Sequence, residues 1–109
     1  MIYLDNAATT RPCAEAVTAV NDALTARWGI PSAVHRLGID AARLLRAARQ
    51  DVAEAMGAET ERVFFTSGGT EADNWAIFSA AERLGKRGRH IITTSVVHHA
   101  VLHPMLKLE

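Results

Sequence analysis

The run Thr66–Ser67–Gly68–Gly69–Thr70–Glu71–Ala72–Asp73–Asn74 holds the residues of this 109-residue chain best suited to chemistry. It follows Arg62–Val63–Phe64–Phe65, a short apolar run of strand character. It precedes Trp75–Ala76–Ile77–Phe78–Ser79–Ala80–Ala81, which reads as helix. A strand passing through two glycines into a helix start makes an anion site, because the backbone can approach the ligand and the unpaired N–H groups of the first turn face it. Two readings stand side by side. In the plainer one, Thr70 is an N-cap with Asp73 three residues on, a capping-box variant, and the glycines only make a turn. In the other, the same parts hold a phosphate. The run lacks the Lys of a P-loop and the G-x-G-x-x-G spacing of a dinucleotide site, so an oxyanion at a helix N-terminus is the chemistry left.

The histidines are the other candidates. His98 and His99 follow an apolar run, where the loops of an open parallel sheet gather ligands. His99 and His103 stand i,i+4 on a predicted helix, the spacing of a metal pair. Between them lie Ala100–Val101–Leu102, without the Glu of an H-E-x-x-H motif or a third ligand, so no metal site is assigned. His35 falls in a linker. Cys13 stands at a predicted helix start with no base beside it.

Around these residues the pattern is α/β. Ile2–Tyr3–Leu4 reads as a short extended arm closed by Asp5–Asn6, and the small residues Ala7–Ala8–Thr9–Thr10 follow. Val17, Val20 and Leu24 repeat at helical spacing, predicting a helix from about Pro12 to Arg27 that Gly29 and Pro31 end. A second helix is expected from Asp40 to Met56, with Leu44, Leu45, Ala48, Val52 and Ala55 inward. Its outer, solvated face would carry Arg43, Arg46, Arg49, Asp51 and Glu54. The second half alternates: strand 62–66, helix 70–84, a Gly85–Gly88 loop, strand 90–95, and a helix from about Ala100. That is a βαβ unit with parallel pairing. The expected organisation is an arm and helical segment over 1–57, then the start of a mostly parallel sheet, βαβα, over 58–109. Ending in helical sequence with two or three strands, the chain reads as the beginning of something larger.

Composition narrows the class. Twelve Lys+Arg balance twelve Asp+Glu, which argues against a nucleic-acid or membrane surface. No apolar run is long enough to span a bilayer, and Met1–Ile2–Tyr3–Leu4–Asp5 lacks a basic signal-peptide start. A single cysteine excludes an internal disulfide and favours a cytoplasmic setting.

Four segments carry a family resemblance, in order and over the whole chain. They are Tyr3–Thr10; Pro31–Ser32 with His35 and Gly38; Phe65–Asn74; and His90–Thr94 followed by His98–His99–Ala100–Val101–Leu102. Together they resemble the N-terminal part of a cysteine desulfurase of the NifS/IscS-like group, class V of the fold-type I pyridoxal-phosphate (PLP) enzymes. The second segment resembles that group's N-P-S-x-x-H-x-x-G stretch, the third its phosphate loop, and the fourth its E-H-x-A-V-L segment. The selenocysteine-lyase branch usually has a different phosphate loop.

The resemblance implies a piece of the PLP-dependent transferase fold. It implies that Gly69 and Thr70 hold the cofactor phosphate and that His98 stacks on the pyridine ring and relays protons. It places Asn6, Ala7 and Ala8 near the substrate pocket. The family's reaction moves sulfur from L-cysteine to an enzyme persulfide and releases L-alanine, for iron–sulfur cluster assembly. Its partners are L-cysteine, sulfur-acceptor or scaffold proteins, and a second subunit of a homodimer. The reaction also needs a cofactor-binding Lys, an Asp on the pyridinium nitrogen and a mobile Cys. Lys86, Lys107 and Cys13 do not stand in those contexts, so the chain alone is expected to be inactive and to bind PLP weakly or not at all. Ile30 stands where the family usually has Asn, Val97 where it has Glu, and Leu106 where a polar residue is common. The alternative is a non-catalytic, truncated or degenerate α/β module that associates with itself or with a full-length desulfurase.

Overall fold

The computed structural model describes residues 2–109, which form two compact units, one ending at Val63 and the other Phe64–Glu109. Four helices run through them: α1 (Ala14–Thr25), α2 (Arg36–Met56), α3 (Gly69–Leu84) and α4 (His99–Leu108), with a 3-10 turn at Thr60–Arg62.

In the first unit the arm closes on itself. The Tyr3 hydroxyl donates to the carbonyls of Asp5 (2.8 Å) and Thr9 (3.2 Å), and the Ala8 N–H bonds Asp5 O at 3.1 Å, so a turn forms over residues 6–8. Helix α1 starts at Ala14 rather than Pro12, with Cys13 as N-cap. Its apolar stripe exists, but nothing covers it. Val17, Val20 and Leu24 remain 56%, 58% and 72% exposed, and no α1 residue is buried.

Helix α2 begins at Arg36, four residues before the expected start, and takes in part of the presumed linker. The reason is close approach. A Cβ on Gly29 would overlap the Leu37 carbonyl and one on Gly38 would overlap the Ala33 carbonyl, so the incoming chain lies against the helix's first turn. The inner face is also rotated from the expected one. Gly38, Ala41 and Ala53 are buried, whereas Leu45, Val52 and Ala55 are exposed. Arg49, expected on the solvated face, turns inward and donates from Nε to Val63 O at 3.0 Å. At the C-terminus Gly57 adopts φ 62°, the left-handed conformation glycine takes without strain. There the N–H groups of Gly57 and Ala58 bond the carbonyls of Glu54 (3.2 Å) and Ala53 (2.9 Å), satisfying two orphan acceptors.

In the second unit α3 packs on α4. Phe64 meets Trp75 edge to face, with ring centroids 5.4 Å apart, and Lys107 Nζ lies 5.7 Å from the Phe78 ring centroid. Ala100 and Pro104 are the buried residues of α4.

The expected parallel sheet does not form among the described residues. Neither 63–66 nor 88–94 has regular secondary structure, and Thr60–Arg62 turns where the first strand was to begin. A strand is defined by a neighbour that takes its N–H and C=O groups, and no other described segment supplies one. No helix is long and apolar enough to cross a membrane among the described residues.

Candidate functional site

The start of α3 is built differently from the capping box expected of it. The N-cap is Gly68, which has no side chain to cap with, and Thr70 is the second helical residue. The reaching carboxylate is Glu71, not Asp73. Its Oε2 accepts from the Ser67 N–H at 2.6 Å and the Ser67 hydroxyl at 2.7 Å. The backbone N–H and then the hydroxyl of Ser67 hold the Glu71 carboxyl below its ordinary range. Thr66 Oγ1 donates to Gly68 O at 3.1 Å from the other side of the loop.

With Ser67 so held, the backbone donors that follow it are left over. The Ala72 N–H closes the first helical bond to Gly68 O at 3.2 Å, while the N–H groups of Gly68, Gly69, Thr70 and Glu71 meet no acceptor among the described residues. Their spare hydrogens, with the positive end of the α3 macrodipole, suit an oxyanion. A Cβ at Gly68 or Gly69 would meet nothing within 4 Å, so the space in front of these donors is open. Gly68 itself is extended (φ 166°, ψ 178°), a conformation open to any residue. Neither backbone angle nor crowding demands glycine at 68. The donor set fits a phosphate.

His98 is exposed and is the N-cap of α4, its Nδ1 accepting from the Ala100 N–H at 3.1 Å. A ring that accepts at Nδ1 carries its proton, when neutral, on Nε2. Sequence periodicity gave no hint of this cap, since His is not among the common N-cap residues. His99 and His103 do meet, with rings stacked at 5.1 Å and 24°. No group of three or more His, Cys, Asp or Glu side chains placed to hold a metal occurs among the described residues.

Asn74 closes the run singled out in the sequence, where it has no role of its own. Half-buried on α3, it donates from Nδ2 to Thr70 O at 2.8 Å and to Ala100 O at 3.3 Å. It touches the anion loop's own helix turn on one side and the helix capped by His98 on the other.

The remaining candidates belong to the first unit. Asn6, Ala7 and Ala8 form the exposed turn after the arm, with Asn6 O accepting from Thr10 Oγ1 at 3.4 Å. Cys13 is exposed and stands two residues before Glu15. The Glu15 carboxyl is lowered first by its own backbone N–H and then by Cys13.

Residues 2–109 match the family model described as aminotransferase class-V. The chain is 44% identical over 108 residues to a cysteine desulfurase IscS of Methanosarcina thermophila, covering 99% of this chain and 27% of that protein. It is 44% identical over 109 residues to a NifS/IcsS protein homolog of Lactobacillus delbrueckii subsp. bulgaricus, covering 100% and 28%. A selenocysteine lyase of Xenopus tropicalis is 41% identical over 120 residues, covering 99% and 28%. A solved NifS-like protein matches with a TM-score of 0.88 at 38% identity, over 98% of this chain and 29% of its own. The chain thus spans little more than a quarter of the length of the curated relatives it matches.

Proposed function

The chain belongs to the class-V aminotransferase family, and on that premise we propose that it forms the phosphate-holding part of a PLP-dependent cysteine desulfurase. The observation that carries this reading is the row of N–H groups from Gly68 to Glu71 that meet no acceptor among the described residues, beside two glycines whose Cβ positions are open. When bound, PLP supplies an electron sink for bonds at the α-carbon of an amino acid.

The chain's own residues have distinct tasks. Gly69 and Thr70 donate to phosphate oxygens through the backbone, and the Thr70 hydroxyl adds a further donor. Glu71 withdraws Ser67 from competition and fixes the loop. His98, its Nδ1 engaged by the Ala100 N–H, would lie beside the pyridine ring and keep Nε2 as the nitrogen able to hold or pass a proton. Asn6, Ala7 and Ala8 belong on the substrate side, where small side chains leave room. The whole protein's reaction would take sulfur from L-cysteine and release L-alanine for iron–sulfur cluster assembly, as a cytoplasmic homodimer serving a sulfur-acceptor or scaffold protein. The NifS/IscS-like relatives and the lone Cys13 support that assignment. Lys86 lies in the loop after α3 and Lys107 in the last turn of α4, and neither stands in the context of the family's cofactor lysine.

The test is a titration of the chain with PLP, pyridoxal and inorganic phosphate, followed by circular dichroism of the cofactor band. PLP should bind weakly, phosphate should compete, and pyridoxal, which lacks the phosphate, should not bind. Equal binding of PLP and pyridoxal would remove the cradle. With L-cysteine added, the chain alone should release no sulfide.

A second reading is favoured by one observation, the uncovered stripe of Val17, Val20 and Leu24 together with exposed Ile30 and Leu106. The chain would then be a non-catalytic module that associates with itself or with a full-length desulfurase. A monodisperse monomer in sedimentation, unchanged by adding such a desulfurase, would reject it.

A further inference from the structure

Pro104 lies inside α4, six residues after the His98 cap, and is buried. A proline there has no N–H to give to the carbonyl four residues back, which is Ala100 O. Ala100 is itself buried, and a buried carbonyl without a donor is costly. The missing donor comes from another helix, for Asn74 Nδ2 lies 3.3 Å from Ala100 O. Its second hydrogen goes to Thr70 O at 2.8 Å. A primary amide has two N–H donors, and this one uses both. Ala100 in turn donates its own N–H to His98 Nδ1 at 3.1 Å. Three hydrogen bonds therefore run without a gap from Thr70 through Asn74 and Ala100 to the His98 ring.

We propose that Asn74 is a positioning residue, setting the Thr70 end of α3 in register with His98 by occupying the hydrogen-bond vacancy that Pro104 creates. The inference rests on the reading of Thr70 as phosphate holder and His98 as ring partner. Phosphate and ring would belong to one small cofactor, so the two protein groups that would hold them must stay within a limited separation, which a polar tie between α3 and α4 helps to fix. An amide that must satisfy carbonyls on both helices at once resists a shift of one against the other. Asp has the same shape without the N–H pair, and its charge would repel both carbonyls. Gln carries the amide one methylene too far.

The pair Asn74 and Pro104 makes the test self-checking. In P104A the new N–H at residue 104 can bond Ala100 O within α4, so the outside donor is no longer required. We expect N74A to lower the urea midpoint of the 109-residue chain clearly, and to lower it by less than half as much in the P104A background. Carbonyl 13C shifts of Thr70 and Ala100 and the ring 15N shifts of His98 should all move in N74D. Adding P104A should restore the Ala100 carbonyl but leave Thr70 displaced, which a purely stabilising role would not produce. PLP affinity of the folded N74D/P104A chain should fall about tenfold, the worth of roughly one well-placed hydrogen bond. Equal midpoint losses in the two backgrounds, or an unmoved Thr70 or His98 signal in N74D, would overturn the proposal. If the wild-type chain binds PLP and pyridoxal equally while these shifts appear, the cofactor reading fails and the Asn74 register stands.

Discussion

The carboxylate of Glu71 closes on Ser67, 2.6 Å from its N–H and 2.7 Å from its hydroxyl, at the N-terminus of α3. This contact fastens the glycine loop to the first turn of α3. It removes from the row of free donors the one that precedes Gly68, and it places a negative charge in the helix's first turn, where the macrodipole favours it.

Glu71 should therefore titrate below its ordinary value of 4.5, because its charged form gains Ser67 as a partner. A lowered folded-state value contributes stability that is complete above 4.5 and is lost as pH falls through the lowered value. Carboxyl 13C titration should show the low midpoint, and S67A should raise it by removing the hydroxyl while the backbone N–H remains. A midpoint at or above the ordinary value in the wild-type chain would contradict the contact.

Gly38 and Gly29 should not accept alanine. A Cβ at either position overlaps a backbone carbonyl, of Ala33 and Leu37 respectively, and backbone cannot step aside as a flexible side chain can. Each substitution should cost on the order of 1–3 kcal/mol, the range of overpacking. G88A, whose Cβ meets nothing within 4 Å, is the matched control and should change the urea midpoint little. Equal effects at 38 and 88 would show that the loop before α2 does not hold this close approach.

Arg49 should behave as an interior residue although its neighbours on α2 suggest a solvated face. Its Nε donates to Val63 O at 3.0 Å, fastening the chain after the 3-10 turn to the helix. R49A should cost about 1.5–3 kcal/mol, the range for a hydrogen bond from a charged donor. R49K, which lacks the planar fork, should recover less than half of it. Urea unfolding checks both.

Much of this could be read from sequence, and the failures share a cause. The order of the helices, the family and the glycine loop were legible because each is written in local spacing or in a contiguous motif. Gly57 ends α2 as expected because a left-handed C-cap is a one-residue requirement. The parallel sheet was over-read. The β-branched run His90–Thr94 has strand propensity, but pairing is a property of two segments, and no described segment lies alongside it. The inner face of α2 was misplaced because periodicity gives a stripe and not which side of it the incoming loop will cover. At α3 the helix start was placed within one residue and the capping roles given to Thr70 and Asp73 were wrong. Cap choice among Gly68, Thr70, Glu71 and Asp73 depends on backbone angles that composition does not report. The role of Asn74 was invisible for a plainer reason: its partner lies 26 residues away and is a vacancy left by a proline.

The phosphate cradle makes its sharpest prediction at Gly69, where stability and binding should move in opposite directions. Gly69 is the first residue of α3, the position where proline is best tolerated because its missing N–H has no helical partner in any case. The preceding Gly68 is extended, as a residue before proline must be, and the space for a side chain at 69 is empty. G69P should therefore leave α3 intact and raise stability by about 0.4–1 kcal/mol through the unfolded chain. If the Gly69 N–H holds phosphate, the same change deletes one donor from the cradle. Affinity for PLP or inorganic phosphate should fall roughly tenfold or more, since a hydrogen bond to a charged group is worth about 1.5–3 kcal/mol. T70V tests the neighbouring hydroxyl in the same way, leaving the exposed surface nearly unchanged in stability while removing a side-chain donor. A stabilised G69P chain that still binds phosphate at full strength would show that the open N–H groups of α3 serve the helix alone.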